Sequence, residues 1–157
     1  MEKPAKITVA RRVEWSDTDA AGVFHWNTAF RMVEAAEALL HERLGVRERT
    51  FGATPRVHVE TSFNREFRFF DRVEVELSVV SVGRTSLRYA FALRPYDEEA
   101  PTTEPDEAGE SASEPAVHGE LVIVHVTGQP AGSPTPWPLD LRARFEEGGD
   151  QGVAEAP

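Results

Sequence analysis

The chain has 157 residues, with 27 acids against 17 Lys and Arg, five His and no Cys. That length suits one domain with a sizeable core, and the lack of cysteine excludes disulfides, thiolate metal sites and cysteine nucleophiles. No apolar run is long enough to span a bilayer and no basic-then-apolar leader opens the sequence, so the expectation is a soluble, cytoplasmic protein without membrane insertion.

Ile7 to Glu14 alternates weakly, with Ile7, Val9 and Val13 in step, and predicts a first strand. Next comes Trp15-Ser16-Asp17-Thr18-Asp19-Ala20-Ala21-Gly22-Val23-Phe24-His25-Trp26-Asn27, which joins that strand to the one long amphipathic pattern. Two carboxylates and a glycine therefore stand just before a helix N-terminus, where free backbone N–H groups favour developing negative charge. Asn27 or Thr28 is the expected cap. Phe30, Val33, Glu37, Leu40 and Leu44 keep a three-four spacing, Met32, Ala35, Ala36 and Leu39 widen the apolar face, and Gly45 is a natural stop.

Alternating runs follow. Arg56 to Phe63 carries Val57, Val59 and Phe63 in step, and Val73, Val75, Leu77 and Val79 share the next face. Gly83-Arg84 reads as a hairpin turn, with Leu87, Tyr89, Phe91 and Leu93 on the return strand. Asp97 to Pro115 holds eight acids and no base, lacks aliphatic residues larger than Ala, and is expected to leave the fold as a disordered acidic insertion. Val117 to Thr127 is the last predicted strand, Pro130 to Pro138 a loop, Leu139 to Glu147 a short helix, and 148–157 a disordered tail. Residues 146–157 add four acids and no base; outside these two segments 15 acids face 17 Lys and Arg. The folded part is thus close to neutral and can accept a polyanionic ligand, while its scattered Arg residues do not form a nucleic-acid-binding face.

The expected architecture is a single α+β domain over 1–147, with one long central helix wrapped by a curved antiparallel five-stranded sheet. An apolar helix on a single sheet needs further cover, which points to a homodimer or homotetramer.

Asp17-Thr18-Asp19-Ala20-Ala21-Gly22-Val23, Glu34-Ala35-Ala36 on the following helix, Val57 to Phe63 and Asp71-Arg72-Val73 resemble the hotdog-fold acyl-CoA thioesterases, in particular the 4-hydroxybenzoyl-CoA thioesterase family. The resemblance covers residues 7–95 and 117–146. It implies hydrolysis of an acyl-CoA or acyl-carrier-protein thioester, with coenzyme A or phosphopantetheine entering as part of the substrate and no separate cofactor or metal. It also implies that Asp19 is the catalytic carboxylate, that the Trp26 backbone N–H polarises the thioester carbonyl, and that Arg84 meets the nucleotide phosphates. Gly22, Phe24, Phe30 and Phe63 are the remaining candidates for substrate contact, with His25 orienting substrate or relaying a proton. Relatives carry Tyr or His where this chain has Trp26 and an aromatic where it has Ala29; His25 and Phe30 are each displaced by one place. The acyl pocket is therefore expected to have its own shape.

Other readings of the same residues stay open. Asp17 and Asp19 are also common turn and capping residues, and Asp17 fits a loop-tying role better. Glu34 and Glu37 read as paired acids or as an alternative catalytic acid on the helix. His41, His58, His118 and His125 lack metal-ligand spacing. Phe67, Phe69 and Phe70 fit a core as well as a pocket. A dehydratase or isomerase acting on acyl thioesters would pair His25 with an acid, and a non-catalytic acyl-thioester-binding module would need neither.

Overall fold

The computed structural model describes residues 2–96, 114–128 and 132–156. The predicted acidic insertion therefore lies outside the described residues, except for 114 and 115. β1 (Lys6–Arg12) leads through a 3-10 turn (Trp15–Asp17) into α1 (Trp26–Arg43), followed by a single-turn α2 (Arg47–Thr50). β2 (Arg56–Phe63), β3 (Arg72–Val82), β4 (Ser86–Pro95) and β5 (Val117–Val124) come next. Two-residue β6 (Val126–Thr127) and β7 (Ser133–Pro134), α3 (Leu139–Glu147) and β8 (Asp150–Glu155) complete the chain.

The main sheet runs β2-β5-β4-β3-β1-β8, antiparallel except for the parallel β1–β8 pair. It has six strands, one more than expected. The extra strand is β8, which replaces the disordered tail expected at the C-terminus. Its Asp-Gln-Gly-Val-Ala-Glu sequence has almost no apolar alternation, so hydrophobic pattern could not reveal it. Backbone pairing holds it: the outer edge of β1 takes Val153 opposite Thr8 and Ala154 opposite Val9. Arg43 adds a hydrogen bond to the Gln151 carbonyl. The Pro-rich stretch is likewise not wholly a loop, because Thr127 pairs with Ser133.

β3 alternates cleanly, with Val73, Val75, Leu77 and Val79 buried against α1 and α3. α1 presents Ala29, Met32, Val33, Ala36 and Leu40 to the sheet at helical spacing. Each large apolar side chain removed from water there contributes roughly 2 kcal/mol. Helix α1 stops where Gly45 takes φ 71°, a conformation that costs a side-chain-bearing residue more. In β5, a Cβ on Gly119 would sit 2.0 Å from the Glu60 carbonyl oxygen, so only glycine lets β2 approach there.

Beyond Thr28 at the helix start, two buried positions of α1 are not apolar. His41 is fully buried, with Nδ1 2.7 Å from the Thr50 hydroxyl and Nε2 2.6 Å from the Tyr89 hydroxyl. Glu37, 1% exposed, accepts a hydrogen bond from Arg56 at the head of β2. Burial pushes the Glu37 carboxyl up from 4.5 to about 7, against the pull of Arg56 and with Glu34 adding to the rise. Burial also pushes His41 down from 6.5 to about 4, helped by Arg56. The Tyr89 hydroxyl, raised well above 10 by burial, stays neutral throughout.

The two shifts act on stability in opposite senses. Glu37 holds its proton longer when folded, so its contribution is present below pH 4.5 and is lost as pH rises to about 7. His41 gives up its proton more readily when folded, so its contribution is present above pH 6.5 and is lost as pH falls to about 4. In the overlap the slopes offset each other. Glu37→Gln should remove one of them, so that the variant's urea stability climbs relative to the parent between pH 4.5 and 7. Parallel pH profiles for the two proteins would refute this assignment.

Candidate active site

The segment between β1 and α1 is anchored by Asp17, which is 1% exposed. Its Oδ2 accepts the Glu14 N–H at 2.8 Å, and its Oδ1 accepts Arg31 Nη2 at 2.8 Å. Its carbonyl accepts the His25 N–H at 2.7 Å and the Thr28 hydroxyl at 2.9 Å. A buried carboxylate persists only when paired and hydrogen-bonded in this way. Asp17 is therefore a positioning residue, in line with the loop-tying reading of the sequence.

Asp19, two residues on, is exposed and differently held. Its N–H donates to the Val23 carbonyl at 2.8 Å, and its carbonyl accepts the Gly22 N–H at 3.0 Å. Gly22 takes φ 75°, which closes this turn at no steric cost. The Asp19 Oδ1 accepts the N–H groups of Ala21 at 2.8 Å and Val23 at 3.3 Å. Both bonds orient the carboxyl, and Oδ2 is left without a partner among the described residues. The loop is pinned from below by Phe24, whose N–H donates to the Phe67 carbonyl at 2.8 Å and whose ring meets Phe67 edge-on at 5.3 Å. Phe24 belongs to the buried core, so its ring offers no open face to a ligand.

His25, rather than Asn27 or Thr28, caps α1. Its Nδ1 accepts the Asn27 N–H at 3.3 Å, the task an Asp or Ser oxygen performs at other helix starts. In the neutral ring the proton then sits on Nε2. The Thr28 N–H donates to the His25 carbonyl at 2.8 Å. The Trp26 N–H has no partner among the described residues. One unsatisfied donor thus remains at the positive end of an 18-residue helix. The Trp26 side chain is 62% exposed and meets Phe30 edge-on at 5.7 Å.

Phe30 leads from that junction into a cavity of about 200 Å³ between α1 and the sheet, with Val33, Arg56, Val59, Phe91 and Leu121 as its other walls. Phe63 and Arg84 lie on separate elements. Phe63 is half-exposed at the end of β2 opposite Val117, and Arg84 extends from the β3–β4 turn into solvent. That turn is braced by the Trp137 N–H on the Arg84 carbonyl at 3.0 Å and by Arg142 on the Gly83 carbonyl at 2.8 Å. The structure therefore gathers Asp19, Gly22, His25 and Trp26 at one loop-helix junction and places Phe30 beside it. Sequence reasoning missed Arg31 and Arg56. The only signal was a cation where an apolar face was due to begin. Among the described residues no group of three or more His, Asp and Glu is placed to hold a metal ion.

Comparison with known proteins follows the same outline. Residues 13–145 match the family model described as the Thioesterase-like superfamily. A 1,4-dihydroxy-2-naphthoyl-CoA hydrolase of Synechococcus elongatus is 30% identical over 89 residues, covering 53% of this chain. The match spans 65% of that relative's own length. Among solved structures, a 1,4-dihydroxy-2-naphthoyl-CoA thioesterase from Synechocystis superposes with TM-score 0.70 at 18% identity, covering 89% of this chain and 95% of its own. The 4-hydroxybenzoyl CoA thioesterase of Pseudomonas sp. strain CBS-3 superposes with TM-score 0.68 at 20% identity, covering 86% and 95% respectively. The shared architecture is the hotdog fold.

The two acids of the junction should separate experimentally. Asp17→Ala strips the Glu14 N–H and Arg31 of their partner and should cost about 2 kcal/mol in urea denaturation, discounted because Arg31 is half-exposed. Asp19→Ala removes an exposed turn acceptor and should cost less than about 1 kcal/mol. Equal losses would contradict the division of roles.

Proposed function

We propose a function from one premise: this chain belongs to the Thioesterase-like superfamily. In this reading it hydrolyses an acyl thioester to the free acid and the thiol. The supporting observation is a partnerless helix-terminal N–H, on Trp26, and a carboxylate oxygen left open on Asp19, at either end of one short loop. Relatives named as hydrolases of dihydroxynaphthoyl-CoA and hydroxybenzoyl-CoA favour coenzyme A as the carrier, and a carrier-protein phosphopantetheine arm presents the same thioester.

The chemistry follows from the geometry. The thioester oxygen takes the Trp26 N–H, and charge develops on that oxygen as the carbon becomes tetrahedral. One such donor is worth roughly 3 kcal/mol of barrier. Asp19 Oδ2 acts on the carbonyl carbon, either directly, forming an anhydride that water then opens, or by taking a proton from the attacking water. In both routes the C–S bond breaks, the thiolate leaves, and one water is consumed. His25 offers Nε2–H to the substrate, since its Nδ1 is occupied as the helix cap. That occupation makes it a poor proton shuttle for a dehydratase. No separate cofactor enters this scheme.

The reading also includes a dimer. β2 is an edge strand whose Val57, Val59 and Phe63 remain exposed. Pairing two β2 edges about a two-fold axis satisfies both backbones and brings the two apolar faces side by side.

Asp19→Asn should retain the parent melting curve while lowering thioester turnover by about a thousandfold or more, read by thiol release. Near-parental turnover would remove Asp19 from the mechanism. Val57→Lys combined with Phe63→Lys should convert the dimer to monomer in light scattering; an unchanged mass would place the interface elsewhere.

A further inference from the structure

The cavity beside the junction has one charged wall. Phe30, Val33, Val59, Phe91 and Leu121 are apolar, and the sixth lining residue is Arg56. The guanidinium is fixed from behind: its Nη2 donates to the buried Glu37 and lies 3.5 Å from Glu34 Oε2. No hydrogen bond from its Nε or Nη1 occurs among the described residues. Val33 lies seven residues along α1 from Trp26, about 10 Å of helix. That distance suits an acyl group laid along α1 from a carbonyl held at Trp26.

We propose that Arg56 is a specificity-determining residue of the acyl pocket, selecting a compact acyl group whose far end carries a neutral hydrogen-bonding group. This rests on the thioesterase reading for the identity of the ligand. A plain hydrocarbon end would lie against Arg56, whose side chain is 36% exposed, and displace water from its open donors without replacing it. A hydroxyl or carbonyl oxygen takes one of those donors. A carboxylate end meets Glu34 across the same guanidinium, and the Glu37 carboxyl adds to the crowding as it ionises at about pH 7. Like-charge crowding then disfavours a third.

The test uses thioethers that cannot be hydrolysed: S-hexyl-CoA, S-(6-hydroxyhexyl)-CoA and S-(5-carboxypentyl)-CoA, titrated into the full-length protein by calorimetry. The hydroxyl ligand should bind about tenfold tighter than the hexyl ligand and more than tenfold tighter than the carboxyl ligand. Arg56→Met should reverse the hydroxyl–hexyl order. Arg56→Met leaves Glu37 buried without its partner, so the double variant Arg56→Met/Glu37→Gln is titrated beside it and should show the same reversal. Glu37→Gln alone should improve binding of the carboxyl ligand severalfold when titrated above pH 7, where the parent's Glu37 is ionised. Equal affinities for the three ligands, no binding of any, or an unchanged order in both Arg56 variants overturns the inference. The expected order of binding, together with no hydrolysis of the matching thioesters, would instead overturn the thioesterase reading and leave Arg56 as the determinant of a binding pocket.

Discussion

The junction between β1 and α1 depends on one buried carboxylate. Asp17 draws in the Glu14 amide on one side and Arg31, a turn and a half into the helix, on the other. Its carbonyl holds the His25 amide and the Thr28 hydroxyl. A chain leaving a strand and entering a helix must satisfy its backbone groups across that gap. Here four hydrogen bonds to a single residue do so. The Asp19 loop and the helix start are then fixed relative to each other, so Asp19 and the Trp26 amide share one mount.

The same helix carries a second polar arrangement further along its buried stripe. Glu37 and His41 occupy positions that the 3.6-residue period assigns to the core, and each has partners supplied by distant parts of the chain: Arg56 for one, Thr50 and Tyr89 for the other. An unsatisfied polar group buried there would cost about 1–3 kcal/mol. With partners, the two residues fix how α1 sits on the sheet. Glu37 also brings a cation to the wall of an otherwise apolar cavity.

The sequence made most of this readable where side chains follow a period. The α1 stripe, the alternation of β3 and β4, the Gly83-Arg84 turn and the stop at Gly45 all rest on local patterns, and the structure shows each of them. Asp17 and Asp19 were told apart by the family resemblance, since their spacing alone lets either acid cap or tie the turn. Three features were hidden for physical reasons. β8 is held by backbone bonds, which leave little trace in residue type. Capping by His25 substitutes a ring nitrogen for the usual oxygen. The Arg56–Glu37 pair joins residues 19 apart, whose meeting depends on the packing of β2 against α1.

The C-terminal strand bears on how large an assembly can grow. A sheet with two open margins can add copies at both and run on as a ribbon. Here one margin is β2, long and apolar. The other is β8, short, interrupted by Gly152 at φ 76° and bearing Asp150 and Glu155. Acidic residues and a kinked backbone make that side a poor template for a further strand. Lateral addition at β8 is thus disfavoured, and in the proposed β2-paired dimer β8 is the margin that each copy leaves open.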